Sequence, residues 1–247
     1  SAEGEARTAL FERAAQVKEQ YVGRKVYFRG LIEMSNICCK NCFYCGIRTG
    51  NAQVKRFNLS DDEVVEAALF AWRNKYASLA IQTGEVTRKE FARRIANLLD
   101  RIHASTNHEL GITLSMGEQS EDTYRLWSSR GAMRYLLRIE TSSRELYQKL
   151  HPTDGTHSFD MRVKCLESLR RTGYQVGTGV MIGLPFQTLE HLADDLLWMK
   201  AMDIDMVGMG PYVEHPETPL YKYRKELLPL EERFDLAIRM VAILRII

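Results

Sequence analysis

Apolar positions along this chain follow two alternating periods. In residues 5–21 they fall at Ala9, Leu10, Ala14, Val17 and Tyr21, which predicts an amphipathic leading helix ended by Gly23. The apolar run over 26–34 predicts a first strand. Ser60-Asp61-Asp62-Glu63 ahead of Val64, Val65, Ala68 and Leu69 has the form of a capping box and predicts a helix to about residue 75. The exchange then repeats. Strands are predicted over 78–83, 110–116, 134–140, 175–182 and 206–209. Helices are predicted over 88–105, 121–130, 145–171 (a short one, then a longer one), 188–202 and 230–247.

Six strand-then-helix units with apolar strands predict a parallel sheet with helices outside it. No GxGxxG follows the first strand, which weakens a dinucleotide-binding fold. The expected class is α/β, a (β/α) TIM-type barrel with about six units visible. An eight-stranded barrel needs roughly two more units, and the apolar, uncapped ending over 241–247 suggests truncation at the C-terminal end. The expected organisation is a helical segment over 1–22 and one barrel over 23–247. In such barrels chemistry sits where strands end. The loop at 38–45, Gly84-Glu85, Ser115, Arg138, Glu140 and residues 206–211 fall there, although turn formers and helix caps occupy such positions too.

Composition narrows the function. The chain has 247 residues and a formal net charge of +2 with Lys and Arg scattered, so nothing calls for a nucleic-acid partner. No apolar run approaches the roughly 20 residues of a membrane helix, and Ser1-Ala2-Glu3-Gly4-Glu5 is too polar for a signal peptide. Three of the five cysteines fall within eight residues, which argues against a disulfide framework and for a reducing, cytoplasmic location.

Those three are Cys38, Cys42 and Cys45, a CxxxCxxC triplet just after the first strand. Three thiolates on one loop suit a metal. Zinc wants a fourth Cys or His at matching spacing, but His103, His108 and His151 are distant and Cys165 falls mid-helix. A [4Fe-4S] cluster normally takes four cysteines, so three leave one iron open, as in a catalytic metal site. Unrelated buried thiols are the bland alternative. Cys39 is out of phase and reads as a bystander.

With Tyr44 directly before the last cysteine, the triplet resembles the signature of the radical S-adenosylmethionine (SAM) superfamily. That resemblance implies a [4Fe-4S] cluster on Cys38, Cys42 and Cys45, with SAM on the open iron. It also implies reductive cleavage of SAM to methionine and a 5′-deoxyadenosyl radical. Gln82-Thr83-Gly84-Glu85 is similar to the superfamily's Gly-Gly-Glu segment, with Thr83 in place of the first Gly, and implies Gly84 and Glu85 at the SAM amino group. A carboxylate balances an ammonium, and a glycine admits close backbone approach.

Longer stretches are similar to the HydE family of [FeFe]-hydrogenase maturases. They include Ser35-Asn36-Ile37-Cys38, Thr113-Leu114-Ser115-Met116-Gly117-Glu118, Arg134 through Thr141, and Ser158-Phe159-Asp160-Met161-Arg162. Further on, Gly183-Leu184-Pro185 and Asp205-Met206-Val207-Gly208-Met209-Gly210-Pro211 match as well. Biotin synthases and methylornithine synthases are neighbouring families.

By position the resemblance implies Glu140 on the ribose hydroxyls, Arg162 on the SAM carboxylate and the Met206 backbone at the adenine. Tyr44 and Ser115 join the cofactor-binding set. Gln82, Thr113, Arg134 and Arg138 would line the substrate cavity. Without the family, Arg162 reads as a solvated helix residue and Met206 as core. Arg134 and Arg138 share a strand face, and two buried cations need an anion. That anion is either a substrate, anionic or carboxylate-bearing, or carboxylates on neighbouring strands.

The implied partners are a small-molecule or organometallic substrate (an iron-carbonyl-cyanide precursor bearing cysteine), a reductant such as ferredoxin or flavodoxin, and other hydrogenase maturases. Val86-Thr87-Arg88 departs from the family's Asp-Pro-Tyr, and Ile139 stands where a His sometimes occurs. A radical SAM mutase or sulfur-insertion enzyme would share every SAM contact. A non-catalytic iron–sulfur electron carrier would share the cysteines.

Overall fold

The computed structural model describes residues 4–247; residues 1–3, the first part of the polar start, lie outside it. The leading helix α1 (Glu5–Val22) is followed by β1 (Arg29–Ser35), α2 (Asp61–Arg73), β2 (Ser78–Thr83), α3 (Lys89–Ser105), β3 (Gly111–Ser115), α4 (Glu121–Ser128) and β4 (Ala132–Leu136). Next come α5 (Arg144–Leu150), α6 (Phe159–Arg171), β5 (Gln175–Thr178), β6 (Met181–Ile182), α7 (Leu189–Ala201), β7 (Met206–Val207), β8 (Gly210–Pro211) and α8 (Leu230–Ile246).

Six strands form one parallel sheet in the order β1-β2-β3-β4-β5-β7. After short breaks, β6 and β8 continue β5 and β7 as a second parallel pair. Strand alternation sorts the side chains. Ile32, Met34, Leu79, Ile81, Ile112, Leu114, Tyr135 and Val176 are buried in the core shared with the helices. The opposite face carries Arg29, Glu33, Gln82, Thr113, Ser115 and Arg134. The sheet curls far enough for the Arg29 guanidinium on β1 to reach Met206 Sδ on β7 at 3.0 Å. The inward face is therefore the polar lining of a barrel.

Beneath the barrel wall, Tyr124, Trp127, Tyr135 and Tyr174 pack edge-on and stacked. Buried hydroxyls need partners, and two find them on the turn after β3. Tyr135 donates to the Gly117 carbonyl at 2.8 Å, and the Gln119 N–H donates to Tyr124 at 3.0 Å. The aromatic core thus fixes the turn that carries Glu118.

Several local expectations shift, and the strand predicted over 175–182 divides into β5 and β6. The first strand starts at Arg29 because β2 pairs with it only from Ser78; Val26, Tyr27 and Phe28 overhang that register and are exposed. The second helix stops at Arg73, with Lys75 in the left-handed region at φ 63°. The strand predicted over 134–140 breaks after Leu136. There Thr178 Oγ1 takes the Ile139 N–H at 3.1 Å and donates to the Leu137 carbonyl at 2.9 Å, replacing the ladder. A 3-10 turn, Pro219–Tyr223, was not foreseen. Arg162, a solvated residue on the family-free reading, is buried on α6.

Candidate active site

The cysteine loop leaves the end of β1 and is fixed by polar contacts on all sides. The Arg56 guanidinium donates to the carbonyls of Asn36 at 2.6 Å, Ile47 at 2.7 Å and Arg48 at 2.7 Å. Asn36 holds its own flank through the Lys55 carbonyl and the Phe57 N–H. Asn41 Oδ1 accepts from Arg48 at 2.8 Å and from the Gly50 N–H. A loop satisfied in this way presents its side chains in one arrangement.

Cys38, Cys42 and Cys45 are free thiols at partly to fully buried positions, whereas Cys39 is exposed. Cys38 Sγ accepts from the N–H groups of Lys40 at 3.4 Å and Glu85 at 3.3 Å. Burial pushes the Cys42 thiol up to about 12. Three thiols on one loop form a donor set that a bound metal would deprotonate. Among the described residues, no three His, Cys, Asp or Glu side chains gather around one point as ligands of a single ion would. A polynuclear [4Fe-4S] cluster, which takes thiolates on different irons, fits a loop of this kind. Cys165 is buried in α6 with its Sγ 3.8 Å from the Gln119 carbonyl, in the core.

Next to the loop lies a buried quartet of charges that joins four elements. Lys40 Nζ, in the loop, is 2.8 Å from Glu118 and 3.3 Å from Glu85. Glu118 also pairs with the Arg162 guanidinium, which donates to the Arg138 carbonyl at 2.6 Å. Glu85 Oε2 accepts the Glu118 N–H at 2.8 Å. Burial works against every charge, and the partners decide the outcome. Arg162 and Lys40 hold the Glu118 carboxyl below its ordinary value in spite of desolvation. The Glu85 carboxyl, desolvated and facing Glu118, is raised. Burial lowers Lys40, but the two glutamates more than offset it, and its pKa is raised.

Glu140 closes the top of the inward face. Its backbone lies in the left-handed region at φ 68°, a costly conformation for a residue with a side chain. Its carboxyl is buried, and desolvation raises its pKa against the pull of Arg138 and Arg162. Arg138 lies 3.2 Å from Glu140 Oε2, a charge contact without hydrogen-bond geometry, so that buried oxygen has no donor. A hydroxyl-bearing ligand above the cysteine loop would supply one, and the ribose of SAM fits.

The structure groups most of the expected site residues. Cys38, Cys42, Cys45, Glu85, Arg138, Glu140 and Arg162 meet at the strand ends, and Gly84 packs directly under the loop. The Tyr44 hydroxyl faces His151 at 3.4 Å. Gln82 and Ser115 are register partners on the inward face of β2 and β3. Thr113, one step lower, has a buried hydroxyl without a partner.

Two residues lie apart. Arg134 donates to Gln175 Oε1 at 2.7 Å low in the barrel. The Met206 side chain contacts Arg29, at the opposite end of β1 from the cysteines. The two arginines thus part company, since Arg138 finds a strand carboxylate and Arg134 an amide. Lys40, Arg56, Glu118 and His157 were not singled out from the sequence. Only Glu118 had a signal, because it ends β3 as Glu85 ends β2.

Residues 32–199 match the Radical SAM superfamily. The [FeFe] hydrogenase maturase subunit HydE of Thermotoga maritima is 40% identical over 239 residues, which cover 97% of this chain and 65% of that protein. The 3-methylornithine synthase of Methanosarcina acetivorans is 27% identical over 241 residues, or 96% of this chain and 65% of that protein. The chain thus spans about two-thirds of the length of these relatives. The crystal structure of methylornithine synthase (PylB) superposes with a TM-score of 0.86 at 24% identity, over 99% of this chain and 69% of that one, and so shares its fold. The chain belongs to the Radical SAM superfamily, whose cofactors are a [4Fe-4S] cluster and S-adenosylmethionine.

Proposed function

We propose that this chain is the catalytic barrel of a radical SAM enzyme acting in [FeFe]-hydrogenase maturation on a small, anionic substrate held inside the barrel. When bound, a reduced [4Fe-4S] cluster supplies the electron that splits SAM into methionine and a 5′-deoxyadenosyl radical. The protein's part is to position, neutralise and exclude water. Cys38, Cys42 and Cys45 hold the cluster, and Arg162 offers its guanidinium to the SAM carboxylate. Glu85 faces the amino group and Glu140 the ribose diol. Tyr44, Gly84 and Ser115 complete the SAM site, whereas Met206, whose side chain reaches Arg29 at the far end of β1, is left out of it. Gln82 and Thr113 line the space below Arg138, with Arg134 further down, and the unpartnered Thr113 hydroxyl and the Arg134 cation, which meets the Gln175 amide, suit a polar, negatively charged molecule.

The observation that carries this reading is the three-thiol loop locked against the Lys40–Glu85–Glu118–Arg162 quartet, beneath a buried Glu140 oxygen without a donor. The identity to a HydE subunit supports the maturation role, with ferredoxin or flavodoxin as reductant, other maturases as partners and the cytoplasm as location. Among the described residues, no helix is long and apolar enough to cross a membrane.

The test is anaerobic reconstitution with iron and sulfide, reduction, and chromatography for 5′-deoxyadenosine. Product from the parent chain and none from Cys42→Ala is expected. A reduced cluster whose spectrum ignores SAM and yields no 5′-deoxyadenosine would leave an electron carrier instead. A second reading, a mutase of the methylornithine synthase kind, has the 27% identity over nearly the whole chain in its favour. Deletion in a hydrogenase-producing host separates the two, because only the maturase reading requires loss of hydrogenase activity.

A further inference from the structure

The connection between α5 and α6, residues 151–158, has no role in the chemistry above, yet it braces the cysteine loop from Lys40 to Tyr44. His157 Nε2 accepts the Asn41 N–H at 2.9 Å, one residue before Cys42. Its Nδ1 lies 2.8 Å from Asp154 Oδ1. A carboxylate only accepts, so the ring proton sits on Nδ1 and the Nε2 lone pair faces the loop. His151 repeats the pattern. Its Nδ1 lies 2.8 Å from the Tyr147 carbonyl, and its Nε2 faces the Tyr44 hydroxyl at 3.4 Å. Between them the Phe43 N–H donates to the Leu150 carbonyl at 2.9 Å, and Lys40 Nζ meets the Thr156 carbonyl. Both rings are buried, with centroids 5.7 Å apart.

We propose that His157, oriented by Asp154, and His151, oriented by the Tyr147 carbonyl, are positioning residues that hold the three-cysteine loop in its iron-binding shape by accepting loop donors on neutral imidazole nitrogens. Burial keeps His151 unprotonated, its pKa lowered to about 3. Asp154 is anchored in turn, accepting from the Thr156 N–H and hydroxyl at 2.8 Å each. The loop donors on these rings belong to Asn41 and Tyr44, which flank Cys42 and Cys45. Losing the acceptor of the Asn41 N–H frees the backbone beside Cys42, and losing that of the Tyr44 hydroxyl frees the side chain beside Cys45. The inference rests on the cysteine triplet being a cluster site.

The test uses the full chain, reconstituted anaerobically, as parent, His157→Ala, His157→Gln and Asp154→Ala. The readouts are iron release to a chelator and the electron paramagnetic resonance spectrum of the reduced cluster without SAM. His157→Ala should release iron about tenfold faster, the order expected when a buried N–H loses its acceptor, and should show shifted g values. Gln can accept from Asn41 and donate to Asp154, so His157→Gln should stay within about twofold of the parent in rate. Asp154→Ala, on a half-exposed turn, should be intermediate.

Release from His157→Ala at the parent rate would overturn the inference, as would His157→Gln releasing as fast as Ala. Should His157→Ala not fold, Asp154→Ala decides, and an unchanged rate and spectrum overturn the proposal. A parent chain that takes up no cluster overturns the cysteine reading itself, a result distinct from any difference among variants.

Discussion

A Cβ on Gly84 would fall on the Ile37 carbonyl oxygen and within 2.6 Å of Cys38 Cβ, backbone and a ligand side chain that have nowhere to go. Gly84→Ala must therefore displace the start of the cysteine loop, and iron per chain after reconstitution should fall below about half the parent value, since overpacking at a fixed site shifts backbone. Full iron content, measured by colorimetric assay, would contradict this. At Glu118 the issue is charge. Glu118→Gln leaves Lys40 with Glu85 and takes from Arg162 the carboxylate it pairs with, and breaking a buried ion network costs about 3 kcal/mol. Urea unfolding should show that loss, and adding Lys40→Met should recover part of it. No recovery would mean that the quartet is not coupled.

His151 gives the residue scale a pH signature. Its folded pKa is lowered to about 3 against roughly 6.5 in an unfolded chain. Between those values the unfolded chain binds the extra proton. The stability that neutral His151 contributes is thus complete above 6.5 and is lost as pH falls toward 3. Relative to His151→Gln, the parent should lose roughly 1 kcal/mol of unfolding free energy between pH 6 and pH 5. Parallel curves for the two proteins over that interval would remove His151 from the account.

Elements were legible where local chemistry decides them. The capping box at Ser60 is present on both sides, with Glu63 N–H donating to Ser60 Oγ at 3.2 Å and Ser60 N–H donating to Glu63 Oε2 at 2.7 Å. Ser60→Ala should cost about 1 kcal/mol in a urea titration, with no change in cluster content. Strand and helix order followed from apolar periodicity for the same reason. The errors came from partners that no local window contains. Residues 26–28 are apolar enough for a strand but overhang β2, and the break in the fourth strand depends on the Thr178 hydroxyl, some forty residues away. Arg162 sits on an amphipathic helix at a position that looks solvated. Glu118, reached by packing α6 against the turn after β3, is what allows it to be buried.

At the scale of the molecule, the triplet and the strand-end rule located the mouth of the barrel, because parallel strands bring their C-terminal ends to one side. The braces that shape the cysteine loop were not legible. Lys40, Arg56 and His157 gain meaning only from carbonyls and carboxylates that the fold brings to them. A site assembled in this way from β1, β2, β3, β4 and α6 couples ligand binding to the stability of the whole fold. A ligand that binds only the folded chain stabilises it by about 2.7 kcal/mol at a hundred times its Kd, and a domain of this size gains roughly 2–4 °C in Tm per kcal/mol. SAM at that excess should thus raise the Tm of the reconstituted protein by roughly 5–10 °C. Glu140→Ala, which removes the buried acceptor proposed for the ribose, should keep its cluster and lose most of that shift. An undiminished shift in Glu140→Ala would mean that SAM does not reach this carboxylate, and the ribose would then have to be placed elsewhere along the inward face.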